Sequence, residues 1–347
     1  MKARTCLHFL WHALRLNVDP SHRVPLSLII HLTSRCPARC LYCSYDRSRP
    51  DRLTPAVLCR ILDEAWRAGT RRLHLTGGEP LLREDLEAVC AEAGERGYFI
   101  SLATSGTGAA ERVPALRKCD QVMLSFDGPR DVREKLCGRP TAAAAERAVE
   151  IFAEEGIPFW TTTVLNRFNL DCIDWIVDHA AQHNTVANFV LLHARPPGGG
   201  TLLHPTRPEL AALQPSNEEY RSAIRRLLEL KRKHRPVGLS VPCLREWLEW
   251  DDYTVTCRTQ RARRYRRCLA VRCYCEIAPD GRVFGCDHPF GQNYPAPSAI
   301  DLGFAEAFRR VPWQTDCRSC MACCYVEANL LFSLHPQAVW NWLRLTR

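Results

Sequence analysis

The strongest constraint on the fold is an alternation of apolar runs with amphipathic helical segments between residues 26 and 192. Continuous apolar runs predict strands that are buried on both faces. Their alternation with helices predicts parallel pairing through right-handed crossovers. The expected strands are residues 26–32, 72–75, 98–103, 121–125, 158–164 and 186–192. Because a closed barrel of this type needs about eight units, the sequence predicts an α/β fold, a partial (β/α)6 TIM-like barrel.

The chain divides into three expected parts. Residues 1–22 form an N-terminal amphipathic helix, residues 23–240 form the barrel, and residues 241–347 form a cysteine-rich auxiliary section that ends in a helix. In the first part Leu7, Leu10, Trp11, Leu14 and Leu16 share one side, which predicts a face packed on the body of the protein. A basic helix that carries tryptophan also suits a membrane surface, and both interpretations stay open.

Cysteine usage constrains the compartment. The chain has 19 cysteines, an odd number, and no cleavable signal peptide is recognisable. Disulfide scaffolding is therefore not expected, and thiolates bound to metal in a reducing compartment fit better. No apolar stretch is long enough to span a bilayer. We expect a cytoplasmic protein, with peripheral attachment to a membrane as the alternative.

Three of these cysteines lie in one loop directly after the first expected strand. Cys36, Cys40 and Cys43 have the spacing C-x3-C-x2-C. An ordinary 4Fe-4S cluster has about four thiolate ligands, so this set is incomplete and leaves one iron open to another ligand. A tetrahedral zinc site that takes its fourth ligand from elsewhere is the alternative.

With Tyr42 before its third cysteine, this loop resembles the signature of the radical S-adenosylmethionine (radical SAM) superfamily. The resemblance covers roughly residues 26–192 and implies the same partial barrel. It also implies that S-adenosylmethionine occupies the open iron through its amino and carboxylate groups. Reductive cleavage would then yield a 5′-deoxyadenosyl radical that abstracts hydrogen from a substrate.

Segments after the later strands extend the resemblance to the nucleotide site. Gly77, Gly78, Glu79 and Pro80 follow the second strand and resemble the glycine-rich loop that binds the amino group of the methionine part. Glycines there let the backbone approach a ligand closely. Polar residues at the next strand ends are the remaining candidates for cofactor binding: Thr104, Ser105, Ser125, Asp127 and Asn166. Taken singly, such segments are also ordinary turns.

The C-terminal section resembles the SPASM/twitch extension of radical SAM enzymes, which holds auxiliary Fe–S clusters. Cys268, Cys286, Cys317 and Cys320 match the first half of that pattern and imply one auxiliary cluster. The second half departs from it, because the later spacing is compressed to Cys323-Cys324. The candidate ligands for one or two auxiliary clusters are Cys268, Cys273, Cys286, Cys317, Cys320, Cys323 and Cys324, with Cys275 as a further thiol. A zinc ribbon is the alternative.

The expected function is that of a radical SAM enzyme acting on a peptide or on a small-molecule or lipid substrate. Its expected partner is a low-potential electron donor such as a flavodoxin or a ferredoxin-like protein. A non-catalytic iron–sulfur or zinc protein of binding or regulatory function is one alternative. An RNA-modifying radical enzyme is another, but the arginine-rich run 258–267 has few interleaved aromatic residues, so nucleic acid is not an expected partner.

Overall fold

The computed structural model describes residues 3–345 except for 20, 194–203, 205–206, 259–267, 271, 287–294 and 313–318. Cys317, most of the connection 195–215 and most of the basic run 258–267 therefore lie outside the described residues.

An open sheet of eight strands forms the centre of the fold, in the order β6-β5-β4-β3-β2-β1-β8-β9. All neighbours pair in parallel except β8 and β9. The first six strands confirm the predicted partial barrel. The strands of this sheet are β1 (Ser27–His31), β2 (Arg72–Thr76), β3 (Phe99–Thr104), β4 (Gln121–Ser125), β5 (Phe159–Leu165), β6 (Val186–Leu191), β8 (Tyr274–Ile277) and β9 (Val283–Phe284).

The helices cover the outer face of this sheet and fill its open side. The helices are α1 (Ala3–Val18), α2 (Pro55–Arg67), α3 (Leu86–Arg96), α4 (Val113–Leu116), α5 (Arg130–Cys137), α6 (Arg139–Glu154), α7 (Ile173–Gln182), α8 (Asn217–Arg232), α9 (Val241–Leu248), α10 (Ala299–Leu302), α11 (Phe304–Arg310), α12 (Cys323–Phe332) and α13 (Pro336–Leu345). Two short strands, β7 (Cys257–Arg258) and β10 (Ser319–Cys320), pair with each other. No helix in the described ranges is long and apolar enough to cross a bilayer.

Each barrel strand presents two chemically different faces. Leu28, Ile30, Leu73 and Leu75 are fully buried against the surrounding helices. The alternate positions point into the barrel lumen and are more polar, because side chains alternate between the faces of a strand. His74 of β2, for example, lies 2.9 Å from the hydroxyl of Ser101 on β3. The outer face therefore holds the fold together, while the lumen is available for chemistry.

The C-terminal section is part of the barrel sheet. Strand β8 pairs in parallel with β1, with Ile29 opposite Glu276. It then turns at residues 278–282 into the antiparallel strand β9. Helix α12 contacts β8, where Tyr325 stacks on Tyr274 with ring centroids 5.1 Å apart. The extension thus helps to close the gap between the two edges of the barrel.

One expectation about a helix is largely wrong, and one helix was missed. The apolar side of α1 does not pack on the body, since Leu7, Leu10, Trp11 and Leu14 are 48–67% exposed. The helix packs instead through a stripe that includes Ala13 and Leu16, and Leu16 is the one residue of the expected side that is buried. Helix α5 was not predicted at all, since its sequence is mostly charged and has few apolar positions.

Helix α8 is fixed at both ends. Ser216 and Glu219 form a reciprocal capping box at its start. At its end, the ammonium group of Lys231 donates to the carbonyl of Val237 at 2.5 Å and to the side chain of Asn341 in α13 at 2.7 Å. Burial lowers the pKa of Lys231 to about 8. The helix therefore ends on a half-buried lysine that joins α8 to α13.

We predict that this lysine makes stability depend on pH. Between pH about 8 and its ordinary pKa of 10.5, the unfolded chain binds a proton that the folded chain has released. Stability must therefore rise with pH across this window. In wild type the free energy of unfolding should rise by about 3 kcal/mol at most across this window. Lys231→Met should remove that rise, as measured by urea unfolding below and above the window. The control is Lys233→Met, because Lys233 is exposed on the next turn. An equal rise in Lys231→Met and wild type would contradict the assignment.

Candidate active site at the carboxyl end of the barrel

The cysteine loop, residues 36–43, follows β1 at the carboxyl edge of the sheet. Its three thiols are half-buried. The loop is fixed to the end of α5 by a hydrogen bond from the amide of Leu41 to the carbonyl of Leu136 at 2.8 Å. The side chain of Cys40 also contacts that of Cys137, the last residue of that helix. Sequence analysis had no signal for this contact, because Cys137 lies about a hundred residues away in an unpredicted helix.

The glycine-rich loop is hydrogen-bonded directly to the chain that leads into the cysteine loop. The amide of Gly78 donates to the carbonyl of Thr33 at 2.7 Å, and the amide of Glu79 donates to that of Arg35 at 2.8 Å. Gly77 has a φ of +133°, and a Cβ atom on Gly78 would lie 2.1 Å from the carbonyl oxygen of Arg35. Glycine is therefore required at both positions, and the two loops form one unit.

Glu79 is buried beneath this unit and organises the next strand end. Its carboxylate accepts hydrogen bonds from the hydroxyl of Thr104 at 2.7 Å and from the amide and hydroxyl of Ser105 at 2.8 and 2.5 Å. The amide of Leu81 is a fourth donor at 3.2 Å. Burial raises the pKa of Glu79, and these bonds oppose that shift. The structure thus brings Glu79, Thr104 and Ser105 together, in keeping with their expected positions after successive strands.

Asp51 is a site residue that sequence analysis missed. Its carboxylate accepts from the hydroxyl of Thr33, and from the amide and hydroxyl of Ser34 at 2.8 and 3.0 Å. Burial would raise the pKa of Asp51, but the hydrogen bonds from Thr33 and Ser34 outweigh burial and lower it. Asp51 therefore shapes the turn between β1 and Cys36. A lone aspartate in a polar loop gives no sequence signal for this role.

Tyr42 connects the cysteine loop to the end of β4. Its hydroxyl donates to Asp127 at 2.6 Å, and the other oxygen of Asp127 accepts from the amide of Val164 at 2.9 Å. Burial raises the pKa of Asp127 to about 6, against the opposing effect of the Tyr42 bond. Ser125, two residues earlier, is exposed. The side chain of Asn166 is engaged in its own turn, where it bonds Val164 and Phe168.

Five described thiols of the C-terminal section form a first group around Tyr274, and the other candidate ligands lie elsewhere. Cys257, Cys273, Cys286 and Cys320 pack in one cluster beside Tyr274. The thiol of Cys268 lies 3.5 Å from the hydroxyl of the same tyrosine. Cys323 instead packs in the core around α8 and α9, Cys275 is on the opposite face of β8, and Cys324 is exposed. Cys257, which was not among the predicted ligands, therefore joins the first group.

The donor set of the cysteine loop fits a 4Fe-4S cluster with one open iron. Among the described residues, no three Cys, His, Asp or Glu side chains converge where a single metal ion could sit. A cluster does not need such convergence, because each thiolate binds its own iron. Burial raises the pKa of Cys36 to about 11, so cluster binding must displace its proton. Three half-buried thiols in one short loop can supply thiolate ligands to all but one iron of such a cluster.

The joined loops lie within a region that matches a known family. Residues 30–180 match the family described as the radical SAM superfamily. This range contains the cysteine loop, the glycine-rich loop and the strand ends at Thr104 and Asp127. Over this segment the chain is similar to radical SAM enzymes.

Two curated relatives illustrate the similarity. The PqqA peptide cyclase of Methylobacterium nodulans is 35% identical over 175 residues, which are 47% of this chain and 45% of that protein. The PqqA peptide cyclase of Granulibacter bethesdensis is 27% identical over 318 residues, which are 85% of this chain and 79% of that protein. The chain thus spans about half the length of the first of these relatives and most of the second.

Solved structures share the fold of this chain over most of its length. SuiB of Streptococcus suis bound to S-adenosylmethionine superimposes with a TM-score of 0.63 at 18% identity, over 84% of this chain and 67% of that one. The protein anSMEcpe with bound AdoMet gives a TM-score of 0.60 at 20% identity, over 82% and 80% of the two chains. At this identity the similarity concerns the fold alone.

We predict that Gly78→Ala separates the two loops. The added Cβ meets backbone rather than a flexible side chain, so the loops must move apart. The expected loss is roughly 2–4 kcal/mol in the free energy of unfolding. The matched control is Gly94→Ala in α3, where a Cβ meets nothing within 4 Å. It should be neutral or stabilising by about 1 kcal/mol at most. Equal unfolding midpoints for the two variants would contradict the close approach.

We predict that Asp51→Asn weakens the entry to the cysteine loop. The carboxylate of Asp51 offers two acceptor oxygens to the donors of Thr33 and Ser34, whereas the amide of asparagine offers only one. The expected cost is about 1–3 kcal/mol of unfolding free energy, with a lower yield of bound iron after anaerobic reconstitution. Asp46→Asn is the control, because that carboxylate contacts only Ser48 and Arg49 among the described residues. Full iron loading of Asp51→Asn with unchanged stability would contradict the prediction.

Proposed function

We propose that this protein is a radical SAM enzyme that reductively cleaves S-adenosylmethionine and abstracts hydrogen from a peptide substrate. The observation that carries the proposal is the pairing of the cysteine and glycine-rich loops through Thr33, Arg35, Gly78 and Glu79. This pairing holds the proposed cluster ligands Cys36, Cys40 and Cys43 beside the proposed nucleotide loop at the edge of a parallel sheet. Active sites of such barrels form at that edge.

The chain's own residues would bind and orient the cofactors. We assign the cluster to the three cysteines and the methionine part of the nucleotide to the backbone of Gly77 and Gly78, with Pro80 ending the loop. Glu79 has its carboxylate filled by four donors from the chain, so its proposed role is to fix the loop against Thr104 and Ser105. Further proposed nucleotide contacts are Tyr42, Thr104, Ser105, Ser125, Asp127 and Asn166.

When bound, the cluster and S-adenosylmethionine supply a 5′-deoxyadenosyl radical that removes a substrate hydrogen atom. The protein's part is to hold the nucleotide in one orientation and to keep water away. The tie from Tyr42 to Asp127 contributes to both tasks, because it fastens the cysteine loop across the carboxyl ends of the strands.

We further propose that the C-terminal section binds at least one auxiliary cluster. Support comes from the grouping of Cys268, Cys286 and Cys320 around Tyr274. Cys273 lies in the same group and is the next candidate. Cys317 stays a candidate from its spacing alone, and Cys323 and Cys324 stay candidates for a second cluster. We propose the same division of the chain into residues 1–22, 23–240 and 241–347. Strand β8 of the last part extends the barrel sheet next to β1.

A peptide substrate is supported by the similar proteins. Two of the relatives are named PqqA peptide cyclases. Structures of SuiB with the precursor peptide SuiA and of anSMEcpe with a peptide share the fold. We propose a flavodoxin or ferredoxin-like protein as the electron donor and the cytoplasm as the location. Peripheral attachment to a membrane stays a prediction, for which the exposed side chains of α1 provide a candidate surface.

The test is anaerobic reconstitution followed by reaction with dithionite and S-adenosylmethionine, with 5′-deoxyadenosine and bound iron measured together. We predict cleavage by wild type and none by the Cys36/Cys40/Cys43→Ala variant, which should lose about four iron atoms per chain. The Cys268/Cys286→Ala variant should also lose about four iron atoms but still cleave the nucleotide.

The matched control is Cys90→Ala, since Cys90 is a buried core thiol of α3 far from the cysteine loop. It should retain iron and cleavage. A fully iron-loaded wild type that does not cleave S-adenosylmethionine, or cleavage by the triple variant, would refute the proposal.

A further inference from the structure

A series of buried polar side chains runs from α12 across β8 to the end of β1. The hydroxyl of Tyr325 donates to one oxygen of Glu276, and the other oxygen lies 3.0 Å from Nε2 of His31. The three residues are only 4%, 2% and 6% exposed. A carboxylate oxygen accepts hydrogen bonds, so Nε2 of His31 donates to Glu276. With its proton on Nε2, the ring presents Nδ1 as the acceptor nitrogen.

That acceptor is buried and has no partner among the described residues. The same holds for the hydroxyl of Tyr45, whose ring stacks on His31 with centroids 5.5 Å apart and an interplanar angle of 12°. Buried polar groups are normally hydrogen-bonded, because leaving them unpaired costs stability. Two such atoms on stacked rings indicate a place where a ligand's polar group completes the pairing.

The position of these atoms is inside the proposed active site. His31 ends β1, on the face opposite to the fully buried Leu28 and Ile30, and therefore faces the lumen. Five residues later the chain reaches Cys36, and Tyr45 follows Cys43 by two residues. The two orphaned atoms thus flank the cysteine loop from both of its ends, on the lumen side of the sheet.

We propose that His31 and Tyr45 form a recognition site for a hydrogen-bond-donating side chain of the substrate. Nδ1 of His31 accepts from an N–H or O–H group, and the hydroxyl of Tyr45 makes a second bond to the same group. The negative charge of Glu276 behind His31 favours a donor over an acceptor. Glu276 and Tyr325 act as positioning residues that set the tautomer and the orientation of the ring. This inference deepens the proposed function and rests on it for the identity of the substrate as a peptide.

The probes are matched pairs of capped amino acids that differ only in a donor group. N-acetyl-tyrosine amide is compared with N-acetyl-phenylalanine amide, and N-acetyl-lysine amide with N-acetyl-norleucine amide. Binding to the reconstituted full chain with S-adenosylmethionine is measured by ligand-observed NMR. In at least one pair the donor-bearing member should bind wild type about fivefold more tightly, as expected for one net hydrogen bond.

His31→Phe and Tyr45→Phe keep an aromatic ring at each position and remove the polar atoms. In the double variant, we expect the preference to vanish while the affinity for the apolar probes stays unchanged. Tyr325→Phe should reduce the preference and also leave the apolar probes unaffected, which a general loss of structure would not do. Tyr98→Phe is the matched control, because the hydroxyl of Tyr98 donates to the carbonyl of Leu62 in the outer helical layer.

Equal binding of both members of each pair by wild type, or no binding of any probe, would overturn the recognition site. A preference that persists in the double variant would overturn it as well. The formation of 5′-deoxyadenosine without any probe is measured on the same samples. Absence of that product together with a donor preference would refute the radical chemistry and leave the recognition site standing, whereas the reverse result would refute only the recognition site.

Discussion

The close approach of two backbone segments is the constraint on which the site depends. The glycine-rich loop reaches the chain before Cys36 so closely that amides of one segment bond carbonyls of the other. A side chain on Gly78 would overlap the carbonyl of Arg35. Because β1 and β2 are parallel neighbours in register, both loops leave the sheet at the same edge. The sheet thus brings the loops together, and the absence of a Cβ lets them join.

Three buried or half-buried carboxylates then fasten this unit to its surroundings. Asp51 holds the turn before Cys36, Glu79 holds the end of β3, and Asp127 holds Tyr42 at the end of β4. Each accepts at least two hydrogen bonds from the chain, which offsets the cost of burial. The cysteine loop is therefore supported from three sides by groups that only accept. Such a frame suits a loop whose thiols must be held ready for a cluster.

The C-terminal section contributes structure as well as thiols. Its strand β8 extends the barrel sheet next to β1, and α12 places Tyr325 against Glu276. His31 of the first strand is consequently oriented by Glu276, which lies 245 positions later in the chain, and through it by Tyr325. The barrel segment and the C-terminal section therefore both contribute to the lumen wall beside the cysteine loop.

The sequence by itself determined the six barrel strands and the two loops at their ends, because apolar periodicity and glycine are local signals. It did not predict α5, whose charged sequence lacks an apolar stripe, and it assigned the wrong face of α1 to the interior. Asp51, Cys137 and the His31–Glu276–Tyr325 series were also missed. Their partners are distant in the chain and carry no local pattern. Only the tertiary structure, through strand register and helix packing, decided which of these polar groups meet.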